Sequence, residues 1–159
     1  MNYEIIEKLN GFNHVLFEEN RHVYMIGDRK LSSVTALIKK FESDKDWNQI
    51  AYSYGMGGMI DQIFWNTKMQ ELQIWDWKTN KKIAASNKYN SFKSPISHVE
   101  ECEYNKFSLQ LSAYKHIIEK NLGLVIGSCY IVHFNTNNEK YKIMKTRDFE
   151  KEVKLMLAS

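Results

Sequence analysis

Apolar and polar positions along this chain change their period several times, and each change marks an expected element. His14 to Phe17 and His22 to Ile26 read as short strands around the polar turn Glu18-Glu19-Asn20-Arg21, which predicts a hairpin. Beyond Gly27-Asp28-Arg29-Lys30 the period lengthens: Val34, Leu37, Ile38 and Phe41 fall at helical spacing, with Ser32 or Ser33 as N-cap. A second amphipathic helix is expected from Asp46 to Tyr54, ending at Gly55. Strand character then returns in MIDQIFWN and QELQIWDWKT, an antiparallel pair broken at Asn66-Thr67-Lys68. From Lys81 to Glu103 the chain is polar, holds its single proline, Pro95, and follows no period, so it reads as a loop or a mobile flap. Phe107, Leu111, Tyr114, Ile118 and Leu122 recur every three or four residues and stop at Gly123, which predicts a helix. LVIGSCYIVHF is expected as a buried strand, KYKIMKT as another, and RDFEKEVKLML as a closing helix with Asp148 in its first turn. There is no internal repeat and no low-complexity tract.

Composition narrows the class. With 159 residues, 43% of them hydrophobic, the chain suits one domain with a core and is short for two. Lys and Arg outnumber Asp and Glu by 22 to 19, and a net charge of +3 leans toward an acidic partner such as nucleic acid without deciding the matter. Cys102 and Cys129 form no CxxC pair, so no disulfide framework and no cysteine-rich metal site is expected, and both thiols read as reduced. No apolar run reaches the roughly 20 residues that cross a bilayer, and MNYEIIEKLN lacks the order of a signal peptide. A cytoplasmic protein with no membrane partner is expected.

The candidate chemistry lies in IWDWKTNKK, residues 74–82. Side chains of a strand alternate between its faces, so Asp76 and Lys78 share one face. Asp61 lies fifteen residues before Asp76, where a hairpin brings the carboxylates side by side. Two close carboxylates repel each other and are best tolerated around a hard divalent cation such as Mg²⁺ or Mn²⁺. A lysine beside that cation orients a water or balances charge on a phosphate, so D-x(14)-D-x-K suits phosphodiester hydrolysis. Plainer readings stand alongside. Asp61 and Asp76 could be surface acids paired with Lys68 or Lys78, Gln110 and Tyr114 could satisfy buried polar groups, and Trp65, Trp75 and Trp77 could pack rather than stack on bases. His116 and His133 read as structural. Lys81, Lys82, Lys88 and Lys93 are either a solvated loop or phosphate contacts.

Taken together, Gly58-Met59-Ile60-Asp61, Ile74-Trp75-Asp76-Trp77-Lys78-Thr79 and Gln110-Leu111-Ser112-Ala113-Tyr114 resemble the PD-(D/E)xK nuclease superfamily, in its RecB-like phage and bacterial exonuclease branch. The resemblance implies an α/β (α+β) fold: a hairpin over 1–30, then an αβββαβ core over 31–157 with a central mixed sheet flanked by helices. It implies Asp61 and Asp76 as metal ligands, the Trp77 carbonyl as a third, Lys78 at the water, and Gln110 with Tyr114 as the Q-x-x-x-Y pair of the next helix. The implied activity is Mg²⁺-dependent exonuclease cleavage of DNA in a bacterial or phage-infected cell, alongside a helicase or recombination protein.

The chain departs from that branch in one place. Its members carry a helical segment, often with a histidine and a glutamate, before the GxxD strand, whereas Tyr52 to Gly57 joins the parts almost directly and no histidine lies between His22 and His98. Glu42, Asp44 or Asp46 are the acids left to take that place. A nuclease-derived module that binds nucleic acid or a protein without cutting is the alternative reading.

Overall fold

The computed structural model describes residues 16–18, 23–26, 29–39, 56–57, 60–135 and 140–159. Near the N-terminus, β1 (Leu16–Glu18), β2 (Val23–Ile26), β3 (Arg29–Ser33) and β4 (Met56–Gly57) form one sheet in that order. The expected hairpin is present, with Leu16 opposite Met25 and Glu18 opposite Val23. The expected first helix begins where its periodicity places it, at Val34, and Phe41 lies outside the described residues. Leu31 is drawn into a ladder opposite Tyr24, so β3 runs to Ser33 and α1 (Val34–Lys39) begins directly after it. The helix expected over 46–54 lies outside the described residues.

A second sheet, ordered β5-β6-β7-β8, carries the site. It comprises β5 (Gln62–Asn66), β6 (Glu71–Lys78), β7 (Ile126–His133) and β8 (Lys142–Lys145). The β5–β6 hairpin turns where expected, because Asn66 Oδ1 accepts hydrogen bonds from the backbone N–H groups of Lys68 and Met69, and Gln70 takes the left-handed φ of 53° that the return requires. β6 and β7 run parallel, which demands a crossover, and α2 (Glu103–Leu122) provides it. That helix ends on Gly123 at φ 63°, whose N–H donates to the Glu119 carbonyl. β8 returns antiparallel to β7, and α3 (Glu150–Ala158) follows. Asp148 stands just ahead of α3 rather than in its first turn, and its Oδ1 accepts from the Glu150 N–H. The fold is therefore α+β with a mixed four-stranded sheet.

The core lies between this sheet and its helices. Ile74, Leu109, Leu111, Ile118, Ile126, Ile131, Val153 and Met156 are all buried in one cluster that also takes in Val34 and Ile38 of α1. Alternation along β6 turns Leu72, Ile74, Asp76 and Lys78 toward α2, and Trp75 and Trp77 away from it.

The segment 81–102 is not a flap. Phe92, Ile96 and Val99 insert into the core, and burial of each contributes about 1.5–3 kcal/mol. The Phe92 N–H donates to the Val99 carbonyl at 3.1 Å, and Asn105 Nδ2 on α2 donates to the Glu100 carbonyl at 2.8 Å. Three apolar residues without a regular period are enough to pin an otherwise polar loop. Among the described residues no helix is long and apolar enough to cross a membrane.

Candidate functional site

The site is built where β6 ends. Ile74, two residues earlier, is fully buried on the same face, so the strand carries Asp76 into the protein with it. Asp76 is 3% exposed, a rare position for a carboxylate. Its Oδ2 lies 2.6 Å from Lys78 Nζ yet receives no aligned hydrogen bond. The contact is a close ion pair with poor angles, which leaves a buried oxygen with unused acceptor capacity. Lys78 Nζ also sits 4.7 Å from the centre of the Phe107 ring on α2, so an aromatic face and a carboxylate fix the amine together.

Asp61 completes the pair. The β5–β6 register sets Gln62 opposite Trp75, and one step outward sets Asp61 across from Asp76. Asp61 Oδ2 accepts a hydrogen bond from the Trp77 N–H at 2.8 Å. In a strand the N–H and C=O of one residue point to the same edge, so the Trp77 carbonyl faces the Asp61 side as well. Burial pushes the Asp76 carboxyl above its ordinary value; the Lys78 ammonium opposes that shift and the Asp61 charge adds to it. An exposed surface pair would show neither that burial nor that shift, so the plain reading of Asp76 as a surface acid fails.

Three contacts lock the strand end. The Phe134 N–H donates to the Lys78 carbonyl at 2.8 Å, His133 Nε2 lies 2.6 Å from the Asn80 carbonyl oxygen, and Asn135 Nδ2 donates to the Lys81 carbonyl. His133 is thus structural, as expected, and what it holds is the segment leaving the site. Nothing in its sequence neighbourhood announced that contact, since the partners are 53 residues apart.

The remaining expected residues fall into two groups. Phe107, Gln110 and Tyr114 follow at steps of three and four and share one stripe of α2, the stripe that meets Lys78 through Phe107. Gln110 Nε2 donates to Tyr114 Oη at 3.1 Å, and Tyr114 is buried. Phe107 was not among the residues expected at the site; its place one turn ahead of Gln110 was the available signal. Lys81, Lys82, Lys88 and Lys93 are all exposed, with Lys81 and Lys82 leaving β6 directly beside the site.

For a divalent cation, the donors fit in kind. A buried carboxylate oxygen lacks an aligned partner, a second carboxylate lies across the ladder, and a backbone carbonyl faces the same edge. Among the described residues no cluster of three or more His, Cys, Asp or Glu side chains forms. Glu42, Asp44 and Asp46 lie outside the described residues. Cys129 is buried and its thiol is pushed up to about 12 by that burial, which makes it inert as a nucleophile. Compared with known proteins, the chain matches no family model, no curated protein and no solved structure.

Proposed function

We propose that this chain is a metal-dependent deoxyribonuclease of the PD-(D/E)xK type, acting as an exonuclease. The observation that carries the reading is Asp76: a carboxylate buried at 3% exposure, with an oxygen lacking an aligned hydrogen bond, beside a second carboxylate and a lysine. Keeping a charge in such a place costs stability, and a cation is the simplest compensation. Asp61, Asp76 and the Trp77 carbonyl would hold Mg²⁺ or Mn²⁺, which supplies charge neutralisation and polarisation of the scissile phosphate. Lys78, steadied by Phe107 and Asp76, presents its N–H donors to the attacking water or to a phosphate oxygen. The Trp77 N–H holds the Asp61 carboxylate in place. Gln110 and Tyr114, hydrogen-bonded to each other along the α2 stripe that begins at Phe107, would orient the substrate.

The test is cleavage of end-labelled linear DNA and of covalently closed circular DNA with Mg²⁺ or Mn²⁺. Loss of the linear substrate with survival of the circle is expected. Cleavage of both would make the protein an endonuclease, and cleavage of neither would reject the enzyme. A second reading, a module that binds nucleic acid or a protein without cutting, is favoured by the gathering of only two carboxylates among the described residues.

The lysine loop gives an independent check. Lys81→Ala with Lys82→Ala is expected to weaken DNA binding and to lower the slope of log affinity against log salt by about 0.7 to 0.9 for each phosphate that the variant no longer neutralises. Titrations at several salt concentrations measure it, and an unchanged slope would return both residues to the status of a solvated loop.

A further inference from the structure

The face of the second sheet turned away from α2 carries an exposed row of aromatic rings. Trp77, Phe134 and Tyr141 are 40%, 43% and 61% exposed, and their ring centres follow one another at 6.1 Å and 6.1 Å, tilted by 49° and 47°. The row runs across the sheet from the end of β6, past the end of β7, to the residue preceding β8. This is the strand end that holds Asp76 and Lys78. The first ring belongs to the residue whose N–H binds Asp61. Deeper along the same face Trp75 stacks on Tyr130 at 4.7 Å and 30°, so aromatic partners satisfy each other there, whereas the outer three keep surface free.

Cations lie at both ends of the row. Lys140 directly precedes Tyr141, and Lys145 lies opposite Tyr130 on the aromatic face; both are exposed. At the other end, Asn135, the residue following Phe134, donates to the Lys81 carbonyl, and Lys81 and Lys82 are exposed there. Aromatic rings left open to water, spaced along a path with cations on both flanks, match what binds single-stranded nucleic acid, in which rings stack on bases and cations follow phosphates. A duplex, whose bases are already stacked, gains little from such rings. An apolar protein partner would not call for cations at both ends.

We propose that Trp77, Phe134 and Tyr141 form a stacking platform that binds single-stranded nucleic acid and leads it to the strand end carrying Asp61, Asp76 and Lys78. The inference deepens the nucleic-acid reading above and rests on it, but it does not depend on cleavage. The test therefore excludes metal: anisotropy of a fluorescein-labelled oligothymidylate, and of an abasic oligomer of the same length, is followed in EDTA. Phe134→Ala and Tyr141→Ala are each expected to weaken binding of the oligothymidylate at least about five-fold and to leave binding of the abasic oligomer unchanged. Binding of the oligothymidylate by the wild type should also quench tryptophan fluorescence, and Trp77→Leu should remove most of that quenching. Phe134→Leu and Tyr141→Leu keep an apolar side chain and lose the ring face, so they serve if an alanine variant misfolds, with the same weakening expected. Equal weakening on the abasic oligomer, or none on either, would overturn the platform. A protein that cuts DNA but ignores these substitutions would leave the metal site standing and remove this inference; one that needs the rings to bind but never cuts would do the reverse.

Discussion

Asp76→Asn is expected to lower DNA cleavage by several orders of magnitude while making the metal-free protein more stable. The carboxylate is buried beside a second acid, has an oxygen without an aligned donor, and is pushed above its ordinary pKa by burial. Removing its charge relieves that cost, and the amide occupies the same space. Lys78→Met should lose cleavage to a similar degree but move stability the other way. It strips the buried carboxylate of its cation, and breaking a buried pair from one side costs about 3 kcal/mol. The burial of Asp76 is what gives both substitutions an effect on stability. Urea denaturation in EDTA alongside a cleavage assay separates the two signs. Stability changes of equal sign and size in both variants would mean that Asp76 is not a strained charge. The pH dependence follows from the same shift. The folded protein holds the Asp76 proton to higher pH than the unfolded chain does, so the native state is relatively most favoured below the ordinary carboxylate value of 3.8 and loses that advantage as pH rises through the raised one. Asp76→Asn should lack this contribution.

A divalent cation should restore what the buried charge takes away. At a Mn²⁺ concentration of about a hundred times Kd, binding to the native state alone adds about 2.7 kcal/mol. For a domain of this size that corresponds to a rise of about 5 to 10 °C in Tm. Asp61→Asn keeps its size and an acceptor for the Trp77 N–H but loses its charge, so its metal affinity and the thermal shift should both drop. Calorimetry with Mn²⁺ supplies the affinities. Equal affinity in the wild type and Asp61→Asn would reduce Asp61 to a holder of the strand end.

Much of the second half of the fold was legible because its signals are local. The hairpin between β5 and β6, α2 with its stop at Gly123, and the strands 126–133 and 142–145 all follow from period and turn chemistry within a few residues. So did the pairing of Asp61 with Asp76, since a hairpin of known turn fixes which residues oppose each other. Even the shared face of Asp76 and Lys78 is a consequence of alternation alone.

What the sequence could not supply was depth and everything joined across long separations. Alternation puts Asp76 on a face, but only α2 packing over that face buries it and leaves its oxygen without an aligned donor. The polar loop 81–102 is held down by Phe92, Ile96 and Val99, whose pocket belongs to distant elements. Trp75 and Trp77 look alike as letters two apart on one strand; a neighbouring Tyr130 covers the first, and the second stands open at the head of an aromatic row assembled from three separate parts of the chain. Period and turn type are properties of neighbours along the chain, whereas desolvation and ring contact depend on which surfaces the completed fold brings together.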